Sequence, residues 1–233
     1  MSTTTLSRYA DLPALIGLMT GDEKHQAASA STLDALWVLY DRVLNLTPET
    51  VDDPDRDRFL LSKGHGPSAY YAVLATKGFI DVRTLRNWTE FDSPLGYHPD
   101  RVLVPGVEVG SGSLGHGLGL AVGTALGLRA QGRTKPRVFV LVGDGELDEG
   151  SNHEAIAAAG RLGLDAITVI AIDNRSATHG WPGGIAERFK VEGWAARTVS
   201  GRDHDALYSA FTTPHSGRPL VVVAHVNKKG SVR

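Results

Sequence analysis

The chain has 233 residues, 42% of them hydrophobic and 21% charged, enough to bury a sizeable core and more in keeping with one large α/β domain over 1–233 than with two small ones. A formal net charge of −2 without long basic or acidic blocks gives no basis for nucleic-acid or membrane-surface binding, and the lack of cysteine excludes disulfides. Met1 to Asp11 carries no basic stretch leading into an apolar core, and the run Leu118 to Leu128 is glycine-rich and far short of the ~18 residues of a spanning helix, so the expected setting is the cytoplasm.

In chain order, Ser31 is placed to cap a helix whose Leu33, Leu36, Trp37, Tyr40, Val43 and Leu44 share one face, ending before Thr47-Pro48. The charged stretch around Pro54, Asp52 to Arg58, reads as a solvated loop. Pro67 to Thr76 reads as a helix stopped by Gly78, and Leu114 to Gln131 as a glycine- and alanine-rich helix that a neighbour can approach closely. Val138 to Val142 is a short apolar, β-branched run, the signature of a buried parallel strand. Glu149 to Leu162 follows as a crossover helix, Ala166 to Ile172 as a second buried strand, Asp203 to Phe211 as another helix, and Leu220 to His225 as a last strand.

The chemistry concentrates where those strands end. Gly143-Asp144-Gly145 follows the first apolar run, and Asn174 closes the second. The 30 residues between Asp144 and Asn174 are the length of one βαβ unit, so a right-handed crossover brings the two strand ends side by side. Ligands of open α/β sheets collect at those carboxyl ends. Asp144 offers a carboxylate and Asn174 an amide oxygen, hard ligands for Mg²⁺ or Ca²⁺ bridged by phosphate, while flanking glycines let backbone N–H groups approach a diphosphate. Gly-Asp-Gly alone is a common turn; its spacing to Asn174 makes it informative. Gly110-Ser111-Gly112-Ser113-Leu114-Gly115 also spells a dinucleotide fingerprint, but it follows only the short stretch Val102 to Val109 and lacks a convincing acid at the next strand end.

These residues resemble the thiamine diphosphate (ThDP) signature, and within it the diphosphate-binding part of transketolases, in particular the N-terminal subunit of the split, two-gene kind. Four ordered motifs carry the resemblance: Ser62-Lys63-Gly64-His65; Gly96-Tyr97-His98-Pro99; Gly112-Ser113-Leu114-Gly115-His116-Gly117; and Gly143-Asp144-Gly145-Glu146-Leu147-Asp148-Glu149-Gly150. It implies a parallel-sheet, three-layer α/β fold of the ThDP-binding type, with ThDP and Mg²⁺ (or Ca²⁺) as cofactors. It implies transfer of a two-carbon ketol unit from a ketose (phosphate) to an aldehyde, with a sugar-phosphate-like substrate. Asp144, Asn174 and the backbone oxygen of Ser176 would ligate the metal; Gly112, Ser113, Leu114, Gly145, Glu146 and His65 would contact the cofactor. His65, His98 and His25 stand where the family carries active-site histidines, with His65 and His98 on the donor side and His25 moving a proton to the acceptor, a task suited to an imidazole. Glu149 matches a glutamate at the subunit contact, or is an ordinary first-turn acid complementing its helix dipole.

The family's activating glutamate lies in a second, pyrimidine-binding domain, whereas this chain ends at Arg233; the expected site is half a site, completed by a C-terminal partner subunit in an α2β2 heterotetramer. His116 stands where many relatives have Gln, and His153, His204, His215 and His225 read as surface or hydrogen-bonded structural residues. Two departures affect substrate choice: Glu23-Lys24-His25-Gln26-Ala27-Ala28 replaces a glycine-rich entry, and the end Lys228 to Arg233 omits a further histidine-bearing segment. They leave open another ThDP-dependent two-carbon transfer, to a carrier protein. The rival from a different class is a non-catalytic stabilising subunit, which would need neither metal ligands nor histidines at these positions.

Overall fold

The computed structural model describes residues 8–21, 26–215 and 217–226. Five strands, β1 (Arg58–Leu61), β2 (Val138–Gly143), β3 (Ile167–Asp173), β4 (Ala195–Ser200) and β5 (Leu220–His225), form one parallel sheet in the order β1-β2-β3-β5-β4. The three central strands are the apolar runs of the sequence, buried along nearly their whole length because helices cover both faces. Side chains alternate between two cores: Phe139, Leu141, Ile170 and Val222 face one, and Val140, Val142, Val169 and Val221 the other. The first core is closed by α2 (Gln26–Val38), α3 (Ser68–Thr76) and α7 (His204–Thr212), with the short α1 (Leu12–Ile16) packed on α3. The second is closed by α4 (His116–Ala130), α5 (Gly150–Arg161) and α6 (Ile185–Val191). The result is the three-layer α/β arrangement expected.

Several boundaries differ from the sequence reading. Ser31 caps nothing: α2 already runs from Gln26, and the Ser31 hydroxyl donates back to the Ala28 carbonyl at 2.7 Å, an intrahelical bond that competes with capping. The helix then widens into a π turn over Leu39–Val43. Asp57 is not part of a solvated loop: it is 2% exposed, pairs with Arg137 and accepts the Asn45 and Arg137 N–H groups. Arg58 already belongs to β1. The stretch Val102 to Val109 is turns rather than a strand, which removes the structural context a dinucleotide fingerprint requires.

Candidate active site

The carboxyl ends of β1, β2 and β3 open onto one cavity of about 720 Å³, mouth included, lined by Lys63, Gly143 and Asn174 at the three strand ends. Asp144 is 3% exposed, and its carboxylate is fixed from four sides. Oδ1 accepts the Gly145 N–H (2.9 Å) and the Ser176 hydroxyl (2.6 Å); Oδ2 accepts the N–H groups of Ser176 (2.6 Å) and Ala177 (3.2 Å). Asn174 is equally buried, yet its Oδ1 has no hydrogen-bond partner among the described residues. A buried amide oxygen left unpaired costs about 1–3 kcal/mol, a cost that a hard cation beside it removes. The pair fits a divalent ion held between protein and diphosphate oxygens. Among the described residues no three His, Asp or Glu side chains cluster as a self-sufficient metal set. Such an ion would therefore need further oxygen ligands beyond these side chains.

Glu146 lines the same cavity, but its carboxylate is engaged by the protein. It accepts the Ser62 hydroxyl and the N–H groups of Gly115 (3.0 Å) and Gly143 (3.1 Å), tying the ends of β1 and β2 to the start of α4. Burial raises its carboxyl above the ordinary range, opposed by those donors and by the nearby Lys63 ammonium. Lys63 is a site residue that the sequence motifs do not single out. It is 8% exposed, crosses Gly143, donates to the Ala28 carbonyl at 3.0 Å and lines the cavity with a positive charge. Its only signal is its place inside the Ser-Lys-Gly-His segment, where the histidine is the more conspicuous residue.

The histidines of two separate motifs meet here. The rings of His65 and His98 lie edge to face, 6.1 Å between centroids. His65 lines the cavity, and His98 rests on the backbone of the glycine loop. At Gly112, φ is +121° and a β-carbon would come within 2.8 Å of the His98 ring, so only glycine suits both the turn and the stacking. Leu114 lines the cavity as well; Ser113 is exposed, its hydroxyl 3.1 Å from His116 Nδ1. His116 Nδ1 also lies 3.3 Å from the Leu114 carbonyl. Glu149 is exposed at the start of α5 and is not among the residues lining the cavity. His25 lies outside the described residues. Of the remaining histidines, His204 contacts Asp34, His215 the Arg218 carbonyl, His153 the Trp181 ring and His225 the Asp173 carboxylate.

A family profile described as transketolase, thiamine diphosphate binding domain, matches residues 18–226. "Ferredoxin fas2" of Rhodococcoides fascians is 58% identical over 96% of this chain and 73% of its own length. This chain has no cysteine, the residue that anchors iron–sulfur clusters, so the matched stretch here can hold none. A protein of Actinobacillus succinogenes, named as one of the subunits of apulose-4-phosphate transketolase, is 35% identical over 89% of this chain and 78% of its own. Among solved structures, the transketolase of Campylobacter jejuni superposes with a TM-score of 0.78 at 25% identity, covering 97% of this chain and 38% of that one. The transketolase of Leishmania mexicana gives 0.72 at 27% identity, over 89% and 37%. The chain thus spans less than two fifths of those solved enzymes.

Proposed function

The chain belongs to the family of transketolase thiamine diphosphate-binding domains, and from that membership we propose that it is the N-terminal, diphosphate- and metal-binding subunit of a two-chain transketolase. In this reading residues 1–233 act as one domain that helps transfer a two-carbon ketol unit from a ketose (phosphate) donor to an aldehyde acceptor. The observation that carries it is the buried Asp144–Asn174 pair, with the unpaired Asn174 Oδ1 at the cavity that Lys63 and His65 also line.

Asp144, Asn174 and the Ser176 carbonyl hold Mg²⁺ (or Ca²⁺), and Lys63 with the loop N–H groups neutralises diphosphate. Gly112, Ser113 and Gly145 offer backbone contacts, Leu114 an apolar wall, and Glu146 keeps these loops together. When bound, ThDP supplies the stabilised carbanion character that cleaving a ketose requires. This chain's part is to orient and to move protons. His98 and His65 hold the donor hydroxyls, and His25 delivers a proton to the acceptor carbonyl. Glu149, exposed beside the metal loop, is available to a partner chain that brings the pyrimidine-binding half. Several relatives carry names that make each of them one subunit of a transketolase, which supports a partner, and we assign the pair an α2β2 assembly in the cytoplasm.

Reconstitution tests the whole reading. With a ketose phosphate donor, an aldehyde acceptor, ThDP and Mg²⁺, the purified chain should form no product, and addition of its partner should restore turnover. Turnover by the chain alone contradicts the shared site; none from the mixture, with both chains folded, contradicts the transketolase assignment.

A further inference from the structure

At the edge of the cavity the chain makes an unusual turn. Arg175, between the ligands Asn174 and Ser176, has φ of +57°, one of two non-glycine residues with positive φ among the described residues. An L side chain is strained there, so something must hold the turn. One anchor is the set of donors that Ser176 and Ala177 direct at Asp144. That anchor uses the proposed metal-binding carboxylate itself, whose oxygens an ion would share.

A second anchor is independent of the ion. Asp173 Oδ1 accepts the Arg175 N–H at 3.1 Å, and Asp173 Oδ2 lies 2.9 Å from His225 Nδ1 on the neighbouring strand. His225 is in turn fixed at its backbone: its carbonyl accepts the Gly201 N–H at 2.7 Å, and the next residue, Val226, donates to the Asp173 carbonyl at 3.0 Å. The end of β5 thus braces the end of β3 where the ligands begin.

We propose that the Asp173–His225 pair is a positioning element for the metal: it holds Arg175 left-handed and so keeps Asn174 and Ser176 in ligating geometry. The proposal rests on the metal reading above. Asp173 restrains the turn through the Arg175 N–H, and His225 restrains the Asp173 carboxylate, as outer-shell partners do for ligands elsewhere. Neither residue is one of the proposed ligands, and neither lines the cavity.

The test measures, by calorimetry on the chain assembled with its partner, the Mg²⁺ concentration that gives half-maximal ThDP binding. Asp173→Ala should raise it about 10- to 100-fold, the usual effect of removing an outer-shell partner, and His225→Ala should raise it in the same direction by less. Arg175→Gly placed on Asp173→Ala should recover most of the loss, since glycine adopts positive φ without strain. Values within about twofold of wild type for both single variants overturn the proposal, on a scale where outer-shell losses are about 10-fold or more. So does an Asp173→Ala defect that Arg175→Gly leaves in place. Asp144→Ala is the control for the underlying reading: it should abolish Mg²⁺-dependent ThDP binding, and unchanged affinity there would remove the metal site itself and the proposal with it.

Discussion

The His98 imidazole lies against Gly112 and Gly64 with no room for a side chain beneath it, so the backbone of both glycines limits where the ring can sit. A group so fixed is pre-organised for one geometry, which favours an interaction stronger in the transition state than in the bound substrate. On the proposed assignment His98→Ala should slow aldehyde release from the donor ketose by about 10²-fold in single turnover, the low end for loss of one pre-organised hydrogen-bonding group. His25→Ala should leave that release nearly normal and slow consumption of the acceptor instead. Single-turnover measurement with donor alone, followed by acceptor, separates the two steps. Equal losses at the first step would show that donor and acceptor work are not divided in this way.

Elements are legible in the sequence in proportion to how far their own residues declare them. The strands β2, β3 and β5 are continuous apolar runs, and the order of the first two already puts Asp144 and Asn174 at neighbouring strand ends. The edge strand β4, Ala-Ala-Arg-Thr-Val-Ser, is half exposed and shows no such run, and α6 is only seven residues long; both escape the sequence reading because tertiary packing, not local pattern, stabilises them. Ser31 misleads because a serine before an apolar periodic stretch looks the same whether it caps the helix or back-bonds within it. In the site, the motif residues can be named from the sequence, but the burial of Lys63 and the unpaired Asn174 oxygen depend on long-range packing. Helix α4 separates two kinds of glycine that its sequence alone cannot. A β-carbon on Gly117 would come within 2.3 Å of Ser62 Cβ, whereas one on Gly123 meets nothing within 4 Å. Gly117→Ala should therefore destabilise the chain by about 1–3 kcal/mol through overpacking at the site. Gly123→Ala should stabilise it by up to ~1 kcal/mol through helix propensity. Urea unfolding of the two variants checks the contrast, and similar changes in both would mean that α4 does not press on the end of β1 as described.

At the scale of the whole molecule, one buried carboxylate joins regions far apart in the sequence. Asp34, 4% exposed within α2, accepts the Tyr9 hydroxyl at 2.7 Å, pairs with Arg202 and lies 2.9 Å from His204 Nε2. The Tyr9 and His204 rings also meet edge to face at 4.7 Å, so the segment before α1, the helix α2 and the turn after β4 close on a single charge. Burial pushes the Asp34 carboxyl up, but hydrogen bonds from Tyr9, Arg202 and His204 outweigh it and hold the group below its ordinary range. A folded value below the unfolded one, about 3.9, means that the native state favours the charged form. The resulting stability is fully present above the unfolded value and is lost as pH falls through the folded one. Arg202 is partly exposed, so solvent screens its share and the hydroxyl and imidazole contacts carry more of the effect. Asp34→Asn should thus lower unfolding free energy by about 1.5–3 kcal/mol at neutral pH, the range for hydrogen bonds to a charged group. The gap to wild type should narrow as pH drops below the unfolded carboxylate value, because the wild-type residue then also becomes neutral. Urea unfolding of both proteins across an acid pH series reads this directly. A gap that stays constant down to the lowest pH would show that the three segments are joined by packing around Asp34 rather than by its charge.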